Sequence, residues 1–153
     1  MRITPDLTSE QLAEIGQLHL ARLLLLAYRA VQRVALQEQA RRGFDDVRAG
    51  HIPVFTNIDP ARGTRVGVLA EKSGMTRQGM AQVVADLERR GYVTAGQDPS
   101  DRRASIVRLT PRGEAFCESA GPAMRAVEAA YAESLGADTL ATLRAALGEL
   151  ARS

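Results

Sequence analysis

Apolar side chains recur at helical spacing from the start of the chain. In Leu7-Thr8-Ser9-Glu10-Gln11-Leu12, Thr8 occupies an N-cap and Gln11 the reciprocal capping-box position. Leu7 and Leu12 are placed for a hydrophobic staple. Leu12, Ile15, Leu18, the run from Leu23 to Leu26, Tyr28, Val31 and Val34 continue the pattern. It predicts one long helix from residue 8 to about Arg42, stopped by Gly43. At about 1.5 Å per residue this helix would reach roughly 50 Å. That is longer than one compact domain of this size can cover, so part of it is expected to pack on a second subunit. Residues 44–58 keep a broadly helical spacing through Phe44, Val47, Ile52, Val54, Phe55 and Ile58. Gly50 and Pro53 interrupt it, so a bent or split helix is expected there. The stretch from Asp59 to Gly63 reads as a turn.

The next segment changes period. Val66 to Lys72 predicts a short helix, and Ser73-Gly74-Met75 breaks it. Thr76 is an N-cap for a second helix that runs to Arg90 and stops at Gly91. Two short helices joined by a glycine-containing turn form a helix-turn-helix pattern. Residues 92–95 and 105–109 are β-like, and the turn formers of 96–103 separate them, which predicts a two-stranded hairpin with a basic tip. A helix-turn-helix followed by such a hairpin is a winged helix. Thr110-Pro111 then starts a helix to about Leu135, which Pro122 after Gly121 is expected to kink or interrupt. Gly136 ends it, and Asp138 is expected to cap a last helix whose Leu140, Leu143, Leu147 and Leu150 form a packing seam. The expected fold is therefore mainly α with a small β-hairpin, arranged as a single domain over 1–153. Its winged helix-turn-helix occupies 61–110, flanked by helices 8–42 and 111–153.

Charge adds direction to this layout. The chain carries a net +2, yet residues 61–112 hold ten basic side chains against five acidic ones. This local +5 leaves −3 for the rest, a basic middle between acidic ends that suits one face for a polyanion. The competing reading is a merely solvated charged surface. Composition is that of a soluble globular protein, at 45% hydrophobic and 25% charged residues, and excludes wholesale disorder. The longest apolar run is far short of the roughly 20 residues of a membrane span. Met1 to Glu10 lacks a signal-peptide stretch, so a cytoplasmic location is expected. One cysteine and two histidines leave no multi-cysteine metal site, no cofactor motif and no nucleophile–base pair, and no enzyme is expected.

On a helical wheel Met80, Val83, Val84 and Leu87 share the core face of the second helix, and Gln78, Gln82, Ala85 and Arg89 lie opposite. Gln78 and Gln82 are one turn apart, and glutamine can pair with adenine in the major groove. Thr76 and Arg77 stand at the helix start, where backbone N–H groups favour a phosphate. The hairpin tip is Asp98-Pro99-Ser100-Asp101-Arg102-Arg103. An arginine there can enter a narrow minor groove, with Asp101 placed to hold a neighbouring arginine by a charge-assisted hydrogen bond.

At this point the chain resembles the MarR (multiple antibiotic resistance regulator) family of winged-helix bacterial transcription regulators. Leu69-Ala70, Leu87-Glu88-Arg89-Arg90-Gly91-Tyr92-Val93, Asp98-Pro99-Ser100-Asp101-Arg102-Arg103 and Leu109-Thr110-Pro111-Arg112-Gly113 carry the resemblance. It implies a homodimer that binds a pseudopalindromic double-stranded operator as repressor or activator. The first and last helices would dimerise, and a small-molecule cleft would lie between them and the winged helix. The family's wing arginine falls on Arg103 and its supporting aspartate on Asp101. The chain departs from the family at Gln82, where many members are basic, and at Pro53.

Tyr28, His51 and Phe55 are candidates to line the cleft for a small aromatic or phenolic effector, against a default of packing. Cys117 beside Phe116 reads as a core filler rather than a redox sensor, and His19 and His51 as ordinary histidines. The competing function is a winged-helix protein-interaction module without specific DNA binding.

Overall fold

A computed structural model describes residues 8–152. They build seven helices and a small antiparallel sheet: α1 (Ser9–Gly16), α2 (Leu20–Arg41), α3 (Ile52–Asn57), β1 (Thr64–Arg65), α4 (Val66–Lys72), α5 (Arg77–Arg89), β2 (Val93–Asp98), β3 (Asp101–Leu109), α6 (Pro111–Leu135) and α7 (Ala137–Leu150). The chain forms two compact units. One comprises the described residues of Met1–Glu38 and Pro122–Ser153, the other Gln39–Gly121.

In the first unit Thr8 closes the expected capping box with Gln11, while the Leu7 staple lies outside the described residues. The single long N-terminal helix is not formed: α1 stops at Gly16 and α2 begins at Leu20. Gly16 weakens the helix locally by about 1 kcal/mol. His19 then takes over as the start of α2, since its carbonyl accepts from the N–H groups of Arg22 and Leu23 and its Nδ1 lies 3.4 Å from the Arg22 nitrogen. Of the kink or interruption expected at Pro122, the interruption does not occur, and α6 runs through it. Pro122 removes one helical hydrogen bond, but Ala123 and Val127 beside it are buried and hold the register. Asp138 is not the cap of α7. Gly136, at φ 88°, occupies that position and Asp138 sits within the first turn. The core here is small, Val34 against Val127 with Val31, Ala35, Ala130 and Tyr131 packed around them. Leu12, Ile15, Leu20, Leu24, Leu25, Leu143, Leu147 and Leu150 remain exposed.

The second unit has the larger core: Val54, Leu69, Met80, Leu87, Tyr92, Val93 and Val107 are fully buried or nearly so. Residues 44–58 do not form the bent or split helix expected: 44–48 are turn and coil, and the helical part begins only at Ala49. A 3-10 turn at Ala49–His51 leads into α3, with Pro53 in the first turn, where its missing N–H costs nothing. Thr76 caps α5 by accepting from the Gly79 N–H at 3.0 Å, and Met80, Val84 and Leu87 form its buried face, with Val83 half-buried. The wing is longer than its sequence pattern suggests. β2 and β3 pair from Val93↔Leu109 to Asp98↔Asp101, so only Pro99 and Ser100 make the turn. β1 is a third strand the sequence reading lacked. It pairs with β3 at Thr64↔Val107, giving the order β1-β3-β2.

The Leu-Thr-Pro-Arg-Gly motif fastens the foot of the wing. The Thr110 N–H donates to the Tyr92 carbonyl (3.0 Å) and its hydroxyl to the Gly91 carbonyl (2.6 Å), while the same hydroxyl accepts from the Gly113 N–H (3.1 Å). Gly113 is required because a Cβ there would lie 2.1 Å from the Tyr92 carbonyl oxygen. Tyr92 is the hub of an aromatic cluster with Phe44, Phe55 and Phe116. Its hydroxyl donates to Asp46 at 2.5 Å, and Arg112 stacks 4.6 Å from its ring centroid.

Candidate nucleic-acid interface

Between α5 and the wing runs an open groove of about 670 Å³. Arg77, Gln78, Ala81 and Ala85 line it from α5, and Asp101, Arg103, Ala104 and Ser105 from β3. Arg65, Gly67, Val68 and Glu71 also line it. Alanines at 81, 85 and 104 keep the walls low, so the long side chains at 77, 78 and 103 stand above them. Thr76, Arg77, Gln78 and Gln82 are exposed on α5, and Asp101, Arg102 and Arg103 on the wing. The structure thus brings Arg77, Gln78, Asp101 and Arg103 together on one groove. Gln82 and Arg102 lie outside its lining. Thr76 spends its hydroxyl on the cap.

Arg77 has a defined seat. A Cβ on Gly67 would lie 2.9 Å from one of its terminal nitrogens, so the guanidinium rests directly over the Gly67 backbone. A larger residue at 67 would displace it.

Asp101 supports Arg103 differently from the expectation. Its Oδ1 accepts from the Arg103 main-chain N–H at 3.0 Å, so it shapes the turn into β3. Among the described residues the Arg103 guanidinium has no protein partner, which leaves all its donors for a ligand. The charge-assisted contact to an arginine side chain is made instead by Asp98. Its Oδ2 accepts from Arg65 Nε at 2.6 Å, and its Oδ1 from the Ser100 N–H and hydroxyl at 2.9 and 2.7 Å. The Ser100 main-chain and hydroxyl bonds, followed by Arg65, bring its carboxyl down to about 2, against some burial in the other direction. Asp98 and Arg65 therefore set the wing's tip against β1. The sequence motif contained Asp98, but Arg65 lies 33 residues earlier and only the pairing of β1 with β3 brings it near.

The far side of α5 carries a second network. Asp86 accepts from Arg90 (2.9 Å), Arg89 (2.9 Å) and His51 (2.7 Å), and those bonds, Arg90 first, hold its carboxyl well below the usual range. His51 is buried. Its Nδ1 accepts from the Arg48 N–H at 2.9 Å, so its proton sits on Nε2 and is donated to Asp86. Phe55 packs edge-on to Tyr92 (centroids 5.9 Å apart). Tyr28 belongs to the other unit, is exposed, and accepts from Gln32 at 3.0 Å. Burial pushes the Cys117 thiol up, with Glu114 and Glu118 adding to it, which disfavours a reactive thiolate. Among the described residues no group of three histidine, cysteine or carboxylate side chains could hold a metal, and no helix is long and apolar enough to cross a membrane.

The model of the MarR family matches residues 46–104, from just before the 3-10 turn to the middle of β3. No curated protein matches the chain. Among solved structures, the transcriptional regulator PA4135 is 26% identical with a TM-score of 0.66, over 89% of this chain and 98% of that one. The transcriptional repressor CouR, solved on a 23-mer DNA duplex, is 25% identical with a TM-score of 0.68, over 96% and 99%. The PcaV transcriptional regulator from Streptomyces coelicolor, solved with its natural ligand, is 24% identical with a TM-score of 0.61, over 88% and 91%, a likeness of fold alone.

Proposed function

We infer that this chain, whose residues 46–104 match the model of the MarR family, is a dimeric, sequence-specific repressor of transcription whose DNA binding a small ligand modulates. The observation that carries the reading is the groove between α5 and the wing, lined by Arg77, Gln78 and an Arg103 whose guanidinium has no partner among the described residues. A recognition helix in the major groove presents its N-terminal residues to base edges, and a wing arginine follows groove width and potential. In this reading Gln78 and Gln82 read bases, Arg103 enters the minor groove with Arg102 beside it, and Thr76 and Arg77 approach a phosphate.

The exposed leucines of α1, α2 and α7 support a two-fold dimer, because a monomer would leave them in water. A dimer would read two half-sites about one helical turn apart. CouR, a repressor bound to DNA, supports the repressor assignment; the ligand proposed here is a small aromatic anion or phenol, and PcaV, solved with its natural ligand, shares the fold. Tyr28, His51 and Phe55 remain the residues proposed for it. The fixed Nε2 proton of His51 suits an acceptor such as a phenolate only if Asp86 releases it. Catalysis forms no part of the reading. The test is affinity for the DNA upstream of the protein's own gene against a scrambled duplex. Equal affinity for both would favour a protein-interaction module instead.

A further inference from the structure

Glu88 lines the same groove, on the exposed side of α5, although its carboxylate would face a polyanion. Its Oε2 accepts the main-chain N–H of Ala95 at 2.7 Å. Ala95 lies in β2, the strand at the edge of the sheet, where outward N–H groups otherwise meet only water. We propose that Glu88 is a positioning residue for DNA binding: it ties the wing's edge strand to the recognition helix and so fixes how far Arg103 stands from Arg77 and Gln78. The proposal rests on the reading of the groove as a DNA site.

The connection between α5 and β2 shows why a tie matters there. Only Arg90, Gly91 and Tyr92 join the two elements, with Gly91 at φ 81°. The foot of the wing is pinned by the Tyr92 N–H to the Leu87 carbonyl at 3.0 Å. Further out, Glu88 to Ala95 is the side-chain hydrogen bond from α5 to the hairpin among the described residues. Arg65 fixes the tip, but to β1 rather than to α5. Without Glu88 the hairpin can tilt about Gly91 relative to α5. Reading two grooves at once needs that angle held, since loosely held groups lose affinity to ordering.

A carboxylate beside phosphates is unfavourable by charge and favourable as a tie, and the two effects separate by substitution. Glu88→Gln keeps an acceptor and removes the charge. Glu88→Ala removes both. The experiment measures the affinity of each full-length variant for the upstream and scrambled duplexes, alone and combined with Arg103→Ala, after thermal unfolding has shown each to be folded. The expected result is Glu88→Gln binding at least as tightly as wild type and Glu88→Ala binding about tenfold more weakly than Glu88→Gln. In the Arg103→Ala background that gap should close to within about twofold, because the wing being positioned no longer contributes. The Ala95 amide resonance should shift in Glu88→Ala and stay near its wild-type place in Glu88→Gln. Equal binding by the two variants would overturn the proposal alone. So would a gap that persists undiminished without Arg103, which would place the effect in the stability of α5. A wild type that binds neither duplex would overturn the DNA reading and the proposal with it.

Discussion

Gly113→Ala is expected to be among the most damaging one-methyl changes available to this chain, and its size can be worked out from the contacts. The added Cβ would lie 2.1 Å from the Tyr92 carbonyl oxygen and 3.1 Å from Leu109 Cδ2, where ordinary contacts begin near 3.4 Å. The first neighbour is backbone and cannot swing aside. Relief requires the start of β2 to part from α6, which opens the 3.0 Å bond from the Thr110 N–H to Tyr92 and strains the Thr110 hydroxyl bonds to Gly91 and Gly113. One or two lost hydrogen bonds at about 1 kcal/mol each and overpacking of about 1–3 kcal/mol suggest a loss of about 3 kcal/mol. For a chain of this size that lowers Tm by roughly 6–12 °C. The assay is thermal unfolding followed by circular dichroism at one fixed protein concentration, since a dimer's Tm depends on it. Gly96→Ala is the control, because nothing lies within 4 Å of its added Cβ, and its Tm should stay within about 2 °C. A Gly113→Ala protein as stable as the control would refute this account of how the wing is fastened.

Other expectations follow from the same contacts. The Asp98 carboxyl, at about 2, and the Asp86 carboxyl, lower still, lie below their ordinary value of 3.8. Their stabilisation is therefore complete above about pH 4 and is lost as pH falls towards 2 and below. Urea unfolding between pH 5 and about 2 should show a shallower acid loss for Asp98→Asn than for wild type, and identical pH profiles would contradict the assignment. Equilibrium sedimentation at micromolar concentration should find a dimer, and replacing Leu143 and Leu147 with Glu should yield monomer. A wild type that sediments only as monomer would sink the dimeric reading. Tyr28→Ala and His51→Ala should blunt the release of DNA by an aromatic acid that acts on the wild type, and an unchanged response in both would remove those residues from the ligand site.

The winged helix was legible because its punctuation is local. Gly74, Thr76 and Gly91 mark helix ends by backbone conformation and capping, and the spacing of Met80, Val84 and Leu87 identifies the buried face. What the sequence concealed is mostly non-local. β1 is two residues long and has no alternation to detect, so Arg65 could not be linked to Asp98 until Thr64 paired with Val107. Nothing in the sequence links Glu88 to Ala95, because the contact is to a main-chain N–H in another element. The break between α1 and α2 hides inside an unbroken apolar pattern. Periodicity reports which face is apolar, whereas Gly16 and the His19 cap decide whether the helix continues. Conversely, the packing of Ala123 and Val127 outweighed the local penalty at Pro122.

In the proposed function the groove between α5 and the wing grips duplex DNA, with Arg103 supplying affinity and the glutamines supplying sequence preference. A salt titration of affinity for the upstream and scrambled duplexes tests it most directly. Loss of a phosphate-neutralising arginine reduces the slope of log K against log salt by about 0.9, so Arg103→Ala in a dimer with two wings should be shallower by about 1.8 on both duplexes. Gln82→Ala should weaken the upstream duplex selectively, by about 1–3 kcal/mol per contacted base pair, and leave the slope nearly unchanged. An Arg103→Ala protein that binds both duplexes with wild-type affinity and wild-type slope would contradict the claim.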